Sequence, residues 1–137
     1  MLQTVLQIGD EMQVIVRAGD VVVAVTDGVA DNLFISHIQE LIAGHLRGLA
    51  ADEPAECTTA LSALASKLAE VAAAIGSRES DRSTRTPFAE AARAEGIVGL
   101  EGGKLDDCAV VCGVVRDQAD TPAELGSALL PLNNFIK

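Results

Sequence analysis

The sequence has no tryptophan and no tyrosine, and Phe34, Phe88 and Phe135 are its only phenylalanines. A core made from it must pack aliphatic side chains and alanine, and the aromatic platforms on which single-stranded nucleic acid stacks are missing. Positive charge is scarce too, with ten Lys and Arg against twenty Asp and Glu, a formal net charge of -10 and a pI near 4.4. That balance opposes sequence-independent attraction to phosphate backbones and anionic lipid, so no nucleic-acid partner is expected. Cysteine is sparse and odd in number: Cys57, Cys108 and Cys112 include no Cys-x-x-Cys pair, which argues against a disulfide framework or a zinc-finger-like site. On one strand, Cys108 and Cys112 would share a face but stand roughly 13 Å apart along it, too far to bond. Buried thiols in an intracellular reducing compartment are the simpler reading. Long apolar runs are also lacking: Val21–Val25 and Cys108–Val115 fall well short of the ~20 residues that cross a bilayer, so no membrane span is expected. Met1-Leu2-Gln3-Thr4 opens neither a secretory leader nor an Arg-rich transit peptide, so no import address is read in the chain.

What remains is a chain of 137 residues, 49% of them hydrophobic, which suits one domain over 1–137. Alternation over Met12–Val16, turn chemistry at Ala18-Gly19-Asp20 and the β-branched run Val21–Val25 predict a β-hairpin. Ser36 with Gln39 resembles a capping box, and Ile38, Leu41, Ile42, Leu46 and Leu49 recur at helical spacing, predicting a helix over 37–49. Asp52 and Pro54 open a second helix with the stripe Leu61, Leu64, Ala65, Leu68, Ala72 and Ile75, for which Gly76 is a natural stop. Residues 76–86 contain no apolar side chain and read as a solvated loop carrying Arg78, Arg82 and Arg85. Thr86 caps a short helix that begins at Pro87 and ends at Gly96. Cys108–Val115 supplies a last strand. This order predicts an α+β fold, an antiparallel sheet with two long helices on one face. Three strands and two helices make a thin core, and the other face of the sheet calls for a cover.

Two acidic clusters stand at strand ends, Asp27-Gly28-Val29-Ala30-Asp31-Asn32 after one strand and Gly102-Gly103-Lys104-Leu105-Asp106-Asp107 before another. In neighbouring antiparallel strands these ends meet at one edge. Clustered carboxylates repel unless a cation lies between them, and hard Mg²⁺ or Mn²⁺ prefers such oxygen ligands. On spacing alone, two ordinary turns explain the same residues more simply, because Asp-Gly commonly ends a strand.

The whole run Ala18-Gly19-Asp20-Val21-Val22-Val23-Ala24-Val25-Thr26-Asp27-Gly28-Val29-Ala30-Asp31-Asn32-Leu33 resembles the strand and Asp-Gly-x-x-Asp-Asn motif of the metal-dependent type 2C protein phosphatases. Thr86-Pro87-Phe88-Ala89, followed by Gly102-Gly103-Lys104-Leu105-Asp106-Asp107-Cys108-Ala109-Val110-Val111, resembles the Ser/Thr-Pro-Phe-Ala helix and Gly-Gly-Lys-Pro-Asp-Asp strand of one branch, which includes mitochondrial members. The likeness runs in order over 12–115, leaving 116–137 as a tail. It implies the C-terminal half of an α/β sandwich that hydrolyses phosphoserine or phosphothreonine with two Mg²⁺ or Mn²⁺ ions, and it implies a phosphoprotein substrate and a mitochondrial or other reducing compartment. Asp27 and Asp106 match ligands of one catalytic ion and Asp31 a further, weaker site. Gly28 would allow tight backbone beside the metal, and Asp107 would have a supporting or structural role. The three loop arginines would be candidates for contact with substrate.

Departures from the pattern limit what carries over. The family's first Asp-Gly motif and its phosphate-binding arginine belong to an N-terminal half with no counterpart here, so this half is expected to be inert alone. Ala30 stands where an aromatic is usual, Leu105 replaces proline, and Cys108-Ala109 replaces Ile-Thr. The alternative is a non-catalytic, phosphatase-derived subunit whose sheet is covered by another protein. A phosphate-loop reading of Gly102-Gly103-Lys104 fails, since Gly99 lies one residue too close and Leu105 replaces the needed hydroxyl. The cysteines read as packing residues, and His37 and His45 as helix-surface or capping residues.

Overall fold

The computed structural model describes residues 13–47 and 54–117. Its elements follow the order β1 (Val21–Val25), α1 (Asp27–Ala30), α2 (Ile35–Leu46), α3 (Pro54–Gly76), α4 (Pro87–Ala94) and β2 (Val110–Val114). Val21–Val114, which holds all six elements, forms one compact unit, and the described residues 13–20 and 115–117 belong to a second.

The β-branched residues of β1 pair antiparallel with β2, Val21 opposite Val114, Val23 opposite Cys112 and Val25 opposite Val110. Because successive strand side chains alternate faces, Val23, Val110 and Cys112 turn together onto the core. Leu64, Leu68 and Ala72 recur every four residues along α3, the spacing that lines one helix face, and all three are fully buried with Val29 and Leu33. Ile38, Leu41, Ile42 and Leu46 of α2 close over the same cluster. Of the expected stripes, Ile38, Leu41, Ile42 and Leu46 of α2 and Leu64, Leu68, Ala72 and Ile75 of α3 thus pack, while Leu61 and Ala65 are half-buried outside the cluster, and the small antiparallel sheet with its helices is α+β.

The predicted hairpin is corrected. Residues 13–17 form no strand, Val14 and Ile15 are exposed, and β1 takes its ladder from β2, far along the chain. Arg17–Asp20 does turn: the Asp20 N–H donates to the Arg17 carbonyl at 3.0 Å, and the Arg17 N–H donates to the Asp20 carboxylate at 2.8 Å. Alternation marks a segment that suits a strand, but it does not choose the strand that supplies the hydrogen bonds. Met12 lies outside the described residues.

α2 begins at Ile35, with Phe34 extended as its cap and no side-chain cap bond, so the expected capping box at Ser36 does not form. The Phe34 carbonyl accepts from the His37 and Ile38 N–H groups, and buried Leu33 pins the chain just upstream, which starts the helix before Ser36. Leu49 and Asp52 lie outside the described residues. α4 follows expectation. The Thr86 hydroxyl accepts from the Ala89 N–H at 3.1 Å, and at the other end the Gly96 and Ile97 N–H groups donate to the Arg93 and Ala92 carbonyls around a Gly96 φ of 73°, the paired bonds of a Schellman stop.

Glu56–Gly76 is long and apolar enough, by length and composition, to cross a membrane, although the uninterrupted apolar runs are short. Its Leu64, Leu68 and Ala72 are part of the core, although only 22% of the span's most apolar window is buried.

Candidate functional site

The two acidic clusters meet because Thr26 ties the strand ends. Its N–H donates to the Ala109 carbonyl at 3.1 Å, while its hydroxyl donates to the Asp107 carbonyl at 2.8 Å and accepts from the Ala109 N–H at 3.0 Å. The chain then folds into the single turn of α1, a helix where strand-end turn chemistry is expected. The Asp31 N–H donates to the Asp27 carbonyl at 2.7 Å, and a four-residue spacing puts both carboxylates on one side of the turn. Gly28 is required by the close approach of the second cluster: a Cβ there would lie 2.5 Å from the Asp107 carbonyl oxygen.

Asn32, only 1% exposed, fixes the other side. Its Nδ2 donates to the Gly28 carbonyl at 2.7 Å and the Lys104 carbonyl at 2.8 Å, and its Oδ1 accepts from the Lys104 N–H at 2.9 Å. Glycines let the segment before Lys104 reach this clamp. A Cβ on Gly76 would stand 2.7 Å from the Lys104 carbonyl, and one on Gly103 would collide with the Ile75 carbonyl. Gly76 is therefore demanded by contact rather than by a left-handed helix stop. The Thr86 hydroxyl donates to the Gly102 carbonyl at 2.6 Å, joining α4 to the same segment.

Lys104 Nζ consequently sits among all three expected ligands, 2.6 Å from Asp31 Oδ2, 3.2 Å from Asp106 Oδ2 and 3.8 Å from Asp27 Oδ2. Hydrogen bonding to Asp31 and then to Asp106 pushes the ammonium above the ordinary lysine range. The Asp106 carboxyl is held low, first by the Asp107 N–H at 2.9 Å and then by Lys104. Asp27 is mostly exposed, and its Oδ1 accepts from the Gly28 N–H at 3.0 Å. Asp107 acts here through its backbone, with its side chain exposed.

The donor set suits a hard divalent cation: three carboxylates converge on one cationic centre, and oxygen ligands are what Mg²⁺ and Mn²⁺ prefer. As placed, those oxygens serve the Lys104 ammonium, and among the described residues no group of three acidic, His or Cys side chains is arranged as a metal cage. Asp27, Asp31 and Asp106 are the residues whose oxygens could serve such an ion.

The arginine loop is not drawn into this cluster as a group. Arg82 pairs with Glu101, Arg85 pairs with Glu90, and the Arg78 carbonyl accepts from the Asp81 and Gly103 N–H groups. His45 Nδ1 lies 2.9 Å from the Leu41 carbonyl, and His37 meets the Phe34 ring edge-on at 5.6 Å. Cys57, Cys108 and Cys112 are free thiols, and burial pushes those of Cys108 and Cys112 up. Thr26, Asn32 and Lys104 were not singled out as site residues from the sequence. Their signal was position, since each lies inside or beside the two motifs.

No family model matches the chain. Individual proteins do. A probable protein phosphatase 2C 62 of Arabidopsis thaliana is 37% identical over 113 residues, 82% of this chain and 14% of that protein. A probable protein phosphatase 2C 71 of Oryza sativa subsp. japonica is 39% identical over 99 residues, 72% of this chain and 18% of that protein. The chain thus spans less than a fifth of the length of either relative. The X-ray structure of the photosystem II phosphatase PBCP superposes with a TM-score of 0.53 at 26% identity, covering 75% of this chain and 38% of that one. Sequence and fold together make this chain homologous to a segment of the protein phosphatase 2C family.

Proposed function

We propose that the chain is the C-terminal half of a metal-dependent phosphoserine/phosphothreonine protein phosphatase and supplies one side of its Mg²⁺ or Mn²⁺ site. One observation carries this reading: carboxylates from the two ends of the matched region, Asp27 and Asp31 on one side and Asp106 on the other, converge on a single cation position. A bound divalent ion would make water nucleophilic near neutral pH and neutralise charge on the phosphoryl oxygens. This chain's part is to orient ligands. Thr26 and Asn32 fix the relative positions of the two acidic segments, the Asp107 N–H aims the Asp106 carboxylate, and the turn of α1 sets the distance between Asp27 and Asp31. Three free thiols support placement in a reducing compartment.

Half of a dinuclear site cannot position both a nucleophile and a leaving group, so the 137-residue chain alone is inactive. The check is release of phosphate from phosphoserine and phosphothreonine peptides in the presence of Mn²⁺, with background rates expected. Turnover that is lost in Asp106→Asn would show that the half is a complete catalyst and contradict this reading. The outward sheet face favours a covering layer: Val22 and Val111 are 49% and 70% exposed on it. The missing half of the phosphatase would fill that place, as would another protein if the chain serves as a non-catalytic subunit.

A further inference from the structure

The carboxylate cluster carries its own cation. The backbone of Lys104 is fixed at both its N–H and its carbonyl by the buried Asn32 amide, and the preceding Gly103 packs against Ile75 with no room for a side chain. From that fixed base a flexible four-carbon stem carries the ammonium to within 3.2 Å of both Asp31 and Asp106. We propose that Lys104 is an internal counter-ion that competes with a divalent cation for this cluster. It gathers the three carboxylates and gives up Asp31 and Asp106 when a metal binds them, because the ammonium and the ion compete for the same carboxylate lone pairs and repel each other at that distance.

The surroundings give the side chain somewhere to go. It is 33% exposed, so it can swing toward solvent, and the Phe88 ring lies 5.8 Å from Nζ, within reach of a cation–π contact. The inference rests on the metal-binding reading above and extends it to a residue outside the ligand set. It makes metal affinity a compromise: the lysine that gathers the carboxylates also weakens binding of the ion it gives way to.

The test is direct binding of Mn²⁺ to the 137-residue chain, read from the loss of the free-ion signal in electron paramagnetic resonance, with folding checked by far-UV circular dichroism. Lys104→Met keeps the stem and removes the charge, so it should bind Mn²⁺ on the order of tenfold tighter than wild type, the loss of one partly screened charge contact. Lys104→Gln gives a second neutral variant should the methionine fail to fold, with the same expectation. Lys104→Arg keeps the charge and should bind no tighter than wild type. Without metal, the neutral variants should melt at lower temperature than wild type, and Mn²⁺ should recover more of their stability. Equal or weaker Mn²⁺ binding by folded neutral variants would overturn the competition while leaving the metal reading intact. Absence of binding by every form at millimolar Mn²⁺ would overturn both.

Discussion

Asn32 does more for the candidate site than any of the carboxylates it supports. One buried amide satisfies the Lys104 N–H and the carbonyls of Lys104 and Gly28, so it sets how far the Lys104–Asp107 segment stands from α1. Asn32→Ala would leave a buried donor without a partner and open a small void, and it should cost roughly 2–4 kcal/mol. Urea unfolding near neutral pH measures this, and a loss under about 0.5 kcal/mol would show that the amide is not the clamp. The carboxylates were legible from sequence because acidic residues at strand ends are conspicuous and match a family motif. The clamping role of Asn32, although it closes the quoted Asp-Gly-x-x-Asp-Asn motif, and that of Thr26 were not, since an uncharged side chain that bonds backbone across the fold leaves no periodic trace. Lys104 was visible inside the Gly-Gly-Lys motif and a failed phosphate-loop pattern, but its ion-pairing role was not. Its chemistry depends on carboxylates more than seventy residues away, Asp31 among them.

Among the elements, the helices were the most readable. Apolar spacing predicted which faces of α2 and α3 pack, and proline-in, glycine-out punctuation predicted α4 almost to the residue. The strands were less so, because the ladder partner of β1 lies at the other end of the folded unit, and a local pattern over 12–16 cannot report that. The polar loop between α3 and α4 read as solvated, yet it is organised about one carboxylate. Asp81 accepts from the Ser83 N–H and hydroxyl at 2.9 and 2.6 Å and from the Thr84 hydroxyl at 2.7 Å. These bonds, led by the Ser83 hydroxyl, lower the Asp81 pKa from 3.8 to about 2. A carboxyl depressed in the folded state adds stability that is fully present above its unfolded value and is lost as pH falls through the folded one. The stability difference between wild type and Asp81→Asn should therefore be constant above pH 3.8 and shrink as pH approaches about 2. Denaturant unfolding across that range measures it, and a gap that stays unchanged down to pH 2 would remove Asp81 from the account of the loop.

At the scale of the whole molecule, the chain has the composition of a domain and the core of part of one. Its described sheet has two strands, one face packed on helices and the other carrying exposed Val22 and Val111. That deficit was legible in the sequence, where too few strands were available to enclose an apolar sheet. It agrees with homology to less than a fifth of the length of longer phosphatase 2C proteins. With a net charge of -10, the molecule gathers three carboxylates at one sheet edge and offsets them locally with one lysine. The proposed role of this edge is to hold a divalent cation. Crystals of the chain grown with Mn²⁺, with diffraction recorded at the manganese absorption edge, test it most directly. An anomalous peak bound by Asp27 and Asp106, with Lys104 Nζ turned away from Asp31 and Asp106, is the expected result. A well-ordered site without a peak, in which Lys104 still bridges those carboxylates at millimolar Mn²⁺, would contradict it.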